Sequence, residues 1–332
     1  MKEILTNLIL VLFSIIFSIL SIEAVLGLLS PDREEFHLSI KDCEENKIYN
    51  IFKGTSAIRY DLKPGCSLWW CEINRFGFRS EEPDSEKKQI IFLGDSVVFG
   101  NGLEEGNTLP QNLEKSLQDS DLQVLNLGVP GYNTQQYYLF LKEKLSFLNP
   151  SILIVGCTLN DDSPSLIIKL DNNDRKLYVI SYPDIYRYFK INPEIDLWLL
   201  KYSKIYRKLN LFFAKYMNRN KQKKYLYNIY KNSQVEAFSL LKKEAESLNI
   251  PIFAVIFPMF DRNWNKYAYD AQHERLHDIL KYIGIEYYDM KNDLEKYDVS
   301  KIRFDDIHFS KYGTKIAGAL IAKQLKERGI IK

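Results

Sequence analysis

Two short stretches at opposite ends of the chain carry residue types and spacings that could do chemistry together. Gly94-Asp95-Ser96 follows the apolar run Ile90-Ile91-Phe92-Leu93, and Asp305-Asp306-Ile307-His308 precedes Phe309-Ser310-Lys311-Tyr312-Gly313. A serine hydroxyl attacks carbonyl carbon poorly until a base removes its proton. A neutral imidazole does this, and a carboxylate on its second ring nitrogen fixes the tautomer. The Asp-x-x-His spacing lets one turn carry both the base, His308, and its orienting partner, Asp305. The chain has only 4 histidines, which makes one placed just after a carboxylate turn more informative. The chemistry implied is acyl transfer through Ser96, failing at acid pH as His308 takes up a proton. Each stretch also has a plain reading: Gly-Asp-Ser as a helix cap, and Ser310 as the cap of a last helix with His308 on its surface.

A second constellation competes with the first. Residues 273–277 spell His-Glu-Arg-Leu-His, the zinc-peptidase pattern, with His273 and His277 one helical turn apart and Glu274 as the base. Against it stand the charged Arg275 inside the motif, the want of a clear third ligand, and the place of this helix in an alternating α/β pattern. The alternative for this segment is an exposed amphipathic helix.

The elements that must position these groups are legible as periodicity. From residue 89 onward, short apolar runs at 90–93, 124–127, 152–156, 252–257 and 286–288 have strand length and β-branched or aromatic character. Helix-period segments at 109–117, 135–147, 235–246, 271–282 and 314–327 alternate with them. Such alternation predicts a parallel sheet covered by helices on both faces, an open α/β sandwich with ligands at the carboxyl ends of the strands. A serine there, opening a helix, lies where a helix N-terminus favours developing negative charge. The alternation is interrupted between residues 160 and 252. Asn192-Pro193 reads as a helix start, and an inserted helical cap is expected at about 163–232. From 165 to 232 there are 15 Lys and Arg against 5 Asp and Glu. That excess fits either a solvated helical face or a surface for anionic lipid headgroups or an acidic substrate, the latter suited to the interleaved aromatics.

Taken together, these blocks resemble the SGNH hydrolases, also called GDSL lipases and esterases, over a stretch from about residue 74 to the C-terminus. Gly94-Asp95-Ser96 matches the first block. Asn126-Leu127-Gly128-Val129-Pro130-Gly131-Tyr132-Asn133-Thr134 is similar to the second, and Thr158-Leu159-Asn160-Asp161 to the third, where the family's first glycine is replaced by Thr158. Asp305 and His308 match the fourth, although the usual Pro-Asn after the histidine reads Phe309-Ser310. Residues 74–79, Asn-Arg-Phe-Gly-Phe-Arg, look like a lead-in of membrane-anchored members. The resemblance implies a three-layer α/β/α sandwich with a five-stranded parallel sheet of flavodoxin-like type. It implies a serine esterase with Ser96, Asp305 and His308 as triad, and no cofactor or metal. The oxyanion hole would use the backbone N–H of Ser96 and Gly131 with the side-chain amide of Asn160, each a neutral donor aimed at the charge that grows on the carbonyl oxygen. The ester would be an acylated saccharide or a lipid. Acyl transfer to a polysaccharide hydroxyl through the same serine is the nearest rival, and a non-catalytic binding protein using the basic cap a third.

Bulk properties bound the remainder. At 332 residues the chain holds one sizeable core plus an appendage, and a formal net charge of +2 argues against a nucleic-acid partner. Residues 4–29 contain one charge, Glu23, and are long enough as a helix to span a bilayer. An uncleaved transmembrane anchor over 1–31 is expected ahead of a cleaved signal peptide, because the site around Glu23-Ala24-Val25-Leu26-Gly27 suits cleavage poorly. Lys2 before the span and Asp32, Glu34 and Glu35 after it put the N-terminus inside and the hydrolase outside, despite Arg33. Residues 32–88 read as linker and lead-in, and 89–332 as the hydrolase domain. Within the lead-in, CSLWWCEI has strand character, so Cys66 and Cys71 would point to opposite faces. In an oxidising location Cys43 pairs with one of them. Cys157 reads as a small buried hydrophobe at a strand end. The sequence does not speak to the oligomeric state.

Overall fold

The computed structural model describes residues 2–28, 39–52, 55–159, 195, 198–199, 202–206, 208–209, 212, 223–260, 264 and 267–331. The chain divides into two compact units, Met1–Asp42 with Ser181–Lys221, and Cys43–Ile180 with Gln222–Lys332.

The second unit is built on a parallel sheet of five strands: β3 (Lys88–Gly94), β4 (Leu122–Gly128), β5 (Pro150–Cys157), β6 (Ile252–Ile256) and β7 (Glu286–Asp289). Their spatial order is β4-β3-β5-β6-β7, with every neighbouring pair parallel. These are the five runs expected from the sequence, with ends shifted by a few residues. Parallel strands need crossovers, and the crossovers place helices on both faces. In β3 to β6 the strand residues are therefore mostly buried whichever way they point, which is why these runs are largely apolar instead of alternating, whereas the edge strand β7 buries only Tyr288. Ile90, Phe92, Val124, Ile154 and Val255 join a core cluster with Leu109, Leu113 and Leu117 of α3 (Leu109–Leu117) and with Ala317, Ile321 and Leu325 of α9 (Lys311–Glu327). The alternate residues, such as Ile91, Leu93, Leu125, Leu153 and Val155, are equally buried and point the other way. On that side lie α4 (Thr134–Lys144), α5 (Lys223–Ser247) and α6 (Asp270–Ile283), with α5 packed against both of the others. The three-layer α/β/α expectation holds.

The helix starts follow local chemistry. Thr108 and Asn133 cap α3 and α4 in reciprocal capping boxes with Gln111 and Gln136. Four-residue helices α2 (Ser96–Phe99), α7 (Lys291–Leu294) and α8 (Val299–Ile302) complete the unit.

The lead-in differs from expectation. Residues 44–62 form an antiparallel hairpin, β1 (Glu44–Phe52) and β2 (Thr55–Leu62), which the sequence reading does not anticipate. CSLWWCEI is not a strand. It doubles back through a single Ser67–Glu72 bridge, with hydrogen bonds from Ile73 N–H to the Cys66 carbonyl and from Leu68 N–H to the Cys71 carbonyl. Cys66 and Cys71 therefore do not lie on one extended strand. Cys43 pairs with Cys66, while Cys71 and Cys157 are buried thiols. Burial pushes the Cys71 thiol up to about 12, against the nearby Arg79 charge, so this group stays protonated and inert.

Arg79 ties the lead-in to the sheet. Its side chain is fully buried, and its guanidinium donates to the carbonyls of Trp70, Phe99, Gly100 and Leu103 while pairing with Glu105 at 2.8 Å. Trp70 and Phe99 lie against it at 4.9 and 5.2 Å. One residue thus clamps the turn that ends α2. Arg79→Ala strands several buried carbonyls, each costing about 1–3 kcal/mol, and is expected to lower stability by at least about 3 kcal/mol. Urea unfolding checks this, and a loss below about 1 kcal/mol contradicts the clamp.

The first unit is described in part. Helix α1 (Lys2–Gly27) has an apolar stretch, Thr6–Gly27, of 22 residues with mean hydropathy 2.6 and none of it buried, long and apolar enough to cross a membrane. Ser14, Ser18 and Ser21 return their hydroxyls to carbonyls four residues back, which satisfies them without water. Glu23, the one charge of that stretch, accepts hydrogen bonds from the Ser203 hydroxyl and from the backbone N–H groups of Lys204 and Ile205. Most of the expected helical cap, including Asn192-Pro193, lies outside the described residues.

Candidate active site

All five strands end at one edge of the sheet, and the turn after β3 is where Ser96 falls. Asp95 caps α2, its Oδ1 accepting from Val97 N–H at 2.9 Å, which starts the helix at Ser96 itself. The turn is pressed against the neighbouring strand end. A Cβ on Gly128, the last residue of β4, would strike the backbone of Val98 and Phe99. Only glycine allows that approach. Asn126 adds a tether, its side chain donating to the Phe99 carbonyl and accepting from Gly128 N–H.

The distal stretch returns to the same edge between α8 and α9. A bridge between Arg303 and Phe309 closes a tight loop, with Phe304 N–H bonded to the His308 carbonyl at 2.8 Å. Asp305 Oδ1 accepts from the backbone N–H groups of Ile307 and His308 at 2.7 and 2.8 Å. Phe309 then packs edge-on against Phe257 and Phe260, which anchors the loop in the core. Ser310 does cap α9, as its plain reading has it, but His308 is not on the helix surface: it is 3% exposed.

The two stretches meet. His308 Nε2 lies 2.7 Å from Ser96 Oγ across 212 residues of sequence, and His308 Nδ1 lies 2.8 Å from Asp305 Oδ2. Asp305 accepts at Nδ1, so the proton sits there and the lone pair of Nε2 faces the serine hydroxyl. Serine, imidazole and carboxylate form one relay, each member held by backbone.

Two further residues support it. Asp95 is fully buried, and its Oδ2 accepts from the Thr158 hydroxyl at 2.8 Å. Burial pushes the Asp95 carboxyl above its usual range, opposed by the Val97 N–H, the His308 charge and the Thr158 hydroxyl. Thr158 stands where the motif that the sequence resembles has a glycine. The structure gives that departure a physical role, because the hydroxyl satisfies a buried carboxylate next to the relay. A side chain that departs from a motif yet can hydrogen-bond is a signal worth reading.

Gly131 lies in the turn after β4, exposed and at φ 77°, a left-handed conformation open to glycine at little cost. Asn160 lies outside the described residues, one position beyond Leu159. The other constellation is also assembled, differently from expectation. His273 is 3% exposed, on the buried side of α6, so the exposed-helix reading of this segment is wrong for that residue. Asp289 at the end of β7 is brought beside both imidazoles, a partner that sequence spacing could not show.

The fold and these side chains define a three-layer α/β/α protein carrying a Ser-His-Asp relay at the carboxyl edge of a parallel sheet. Three of the solved structures similar to the chain are as follows. One, ascribed to the lipolytic G-D-S-L family of Desulfitobacterium hafniense DCB-2, is 15% identical with a TM-score of 0.43, covering 71% of this chain and 99% of that one. A lipase/acylhydrolase from Enterococcus faecalis is 15% identical with a TM-score of 0.44, covering 73% and 96%. A two-domain esterase active on acetylated mannans is 14% identical at the same TM-score, covering 73% of this chain and 49% of that one. No protein-family model matches the chain, and no curated protein matches its sequence.

Proposed function

We propose that the chain is a serine esterase of the SGNH type, cleaving carboxylic esters through an acyl-enzyme on Ser96. The observation that carries this reading is the relay itself, with 2.7 Å from serine to imidazole and 2.8 Å from imidazole to carboxylate. Ser96 Oγ attacks the ester carbonyl carbon as its proton passes to His308 Nε2. The imidazolium so formed is stabilised by Asp305, and the negative charge moves to the carbonyl oxygen. Backbone N–H of Ser96 and Gly131 with the amide of Asn160 serve as its donors, each worth about 2.7–4 kcal/mol of barrier. Collapse of the tetrahedral adduct breaks the bond to the alcohol oxygen, which takes the proton back from His308. Water then repeats the sequence, its proton going to His308 and its oxygen to the acyl carbon, which frees the acid and restores Ser96.

An acylated saccharide or lipid is the substrate class we favour, and a sugar hydroxyl replacing water would make the same site an acyltransferase. For location we favour an uncleaved anchor with the N-terminus inside. The disulfide supports an oxidising, extracytoplasmic setting for the second unit. Exposed Trp198, Tyr202, Leu209 and Phe212, together with the exposed apolar face of α1, support contact with a membrane.

A fluorophosphonate is the direct test. It is expected to add covalently to Ser96, found by peptide mass mapping, and to abolish turnover of a panel of aryl esters and acetylated sugars. Label elsewhere with Ser96 unmodified contradicts the assignment. Acetyl transfer to an added oligosaccharide, in preference to water, selects the transferase form.

A further inference from the structure

We propose that His273, His277 and Asp289 form a binding site for a divalent metal ion of the zinc class, separate from the serine relay. The three residues come from two elements, the imidazoles from α6 and the carboxylate from the last position of β7. Their ligand atoms all lie within 4.8 Å of one another. Asp289 Oδ2 lies 2.6 Å from His273 Nδ1 and 2.7 Å from His277 Nε2, so a single carboxylate oxygen faces both imidazoles. Two imidazole nitrogens and one carboxylate oxygen are the donor set of an open zinc site, in which a water completes the tetrahedron.

The outward atoms of the set are held as well. His273 Nε2 lies 2.8 Å from the Tyr267 hydroxyl, whose oxygen also accepts from Met259 N–H at 3.1 Å. Asp289 Oδ1 accepts from Lys291 N–H at 3.0 Å, and the His277 ring stacks on Tyr287 at 4.9 Å. Such partners orient ligands toward a common point, as the outer partners of metal ligands do. The His277 and Asp289 side chains are 26% and 18% exposed, which gives an ion an entry path. Zinc distances of about 2.0–2.1 Å separate neighbouring donors by roughly 3.3 Å, so the 2.6 and 2.7 Å contacts open by about 0.7 and about 0.6 Å on binding.

Protons balance without a co-reactant. The His273 proton moves from Nδ1 to Nε2, where the Tyr267 oxygen accepts it, and the His277 proton moves to Nδ1. The ion then takes the freed lone pairs and a carboxylate that is already ionised. None of Ser96, Asp305 or His308 takes part. The physical consequence is a clip between α6 and β7, the edge strand of only four residues and so the one with the fewest ladder bonds to hold it.

The test uses the full chain in detergent, with no histidine tag, titrated with zinc by calorimetry and followed by thermal unfolding. One ion per chain is expected, with a rise in Tm that His277→Ala and Asp289→Asn abolish. Binding by these variants should be at least about 100-fold weaker, and by Tyr267→Phe about 10-fold weaker. No uptake by the parent chain at about 100 µM zinc, a Kd too weak to stabilise the fold appreciably, overturns the proposal. Uptake that His277→Ala leaves unchanged also overturns it. His277 is partly exposed, so its variant retains the fold even where Asp289→Asn does not. Phosphonate labelling of Ser96 continues in either outcome, so failure of the metal site leaves the esterase reading standing.

Discussion

Replacing Ser96 by alanine is expected to lower kcat for ester hydrolysis by about 10⁴- to 10⁶-fold while leaving the fold intact. The size follows from what is removed. Without the hydroxyl there is no covalent intermediate and nothing for His308 to deprotonate, so only the oxyanion donors and substrate positioning remain to assist attack by water. Fold retention is expected because the hydroxyl is half-buried at the first position of α2 and the cap of that helix is Asp95, not Ser96. Steady-state kinetics with a chromogenic ester, alongside thermal unfolding of the variant, checks both halves. Activity within about tenfold of the parent would remove Ser96 from the mechanism.

Asp305→Asn is the second large effect, expected to cost about 10⁴-fold in kcat with little change in stability. Asp305 accepts at Oδ1 from two backbone N–H groups and receives the imidazole Nδ1 proton. An asparagine keeps one oxygen for the backbone groups and turns its amide toward the ring. That amide donates, so the ring must place its lone pair at Nδ1 and its proton at Nε2. His308 then offers the serine a proton where it needs to take one. Activity of the variant should also rise steeply at alkaline pH, where hydroxide can act in place of the base. A loss below about tenfold would mean that His308 is oriented by packing and backbone alone, with Asp305 serving the loop.

Both effects bear on the pH profile expected of the parent chain. The relay needs an unprotonated imidazole at His308 to take the serine proton, so activity is expected to fall toward acid pH. The buried Asp95 is a different case. Its carboxyl is held above the usual range, so the native state takes up a proton there more readily than the unfolded chain. Its contribution favours the fold at acid pH and declines as pH rises from the ordinary carboxylate value through the raised one.

Much of this molecule is legible in one dimension. The strand runs of β3 to β6 are largely apolar because both faces of a parallel sheet are covered, and composition reports that directly. The relay residues were readable because each sits beside a local signature: Ser96 at the end of a strand run, Asp305 and His308 within one turn. The hairpin at 44–62 was not readable, since EENKIYNIF carries charged and polar residues without a clean two-residue alternation and the alternation in its partner is confined to the five residues IRYDL. Its pairing is set by antiparallel register, and Cys43 finds Cys66 through the turn that the hairpin closes.

By itself the sequence determined which groups can react, because nucleophile, base and carboxylate are properties of side chains and short spacings. Only the tertiary structure decided which of them meet. It set His308 against Ser96, joined Thr158 to Asp95, and delivered Asp289 to two histidines on another element. The physical reason is that contacts across tens to hundreds of residues depend on the packing of whole strands and helices, and the free energy of that packing is spread over the entire core rather than written at the residues that touch.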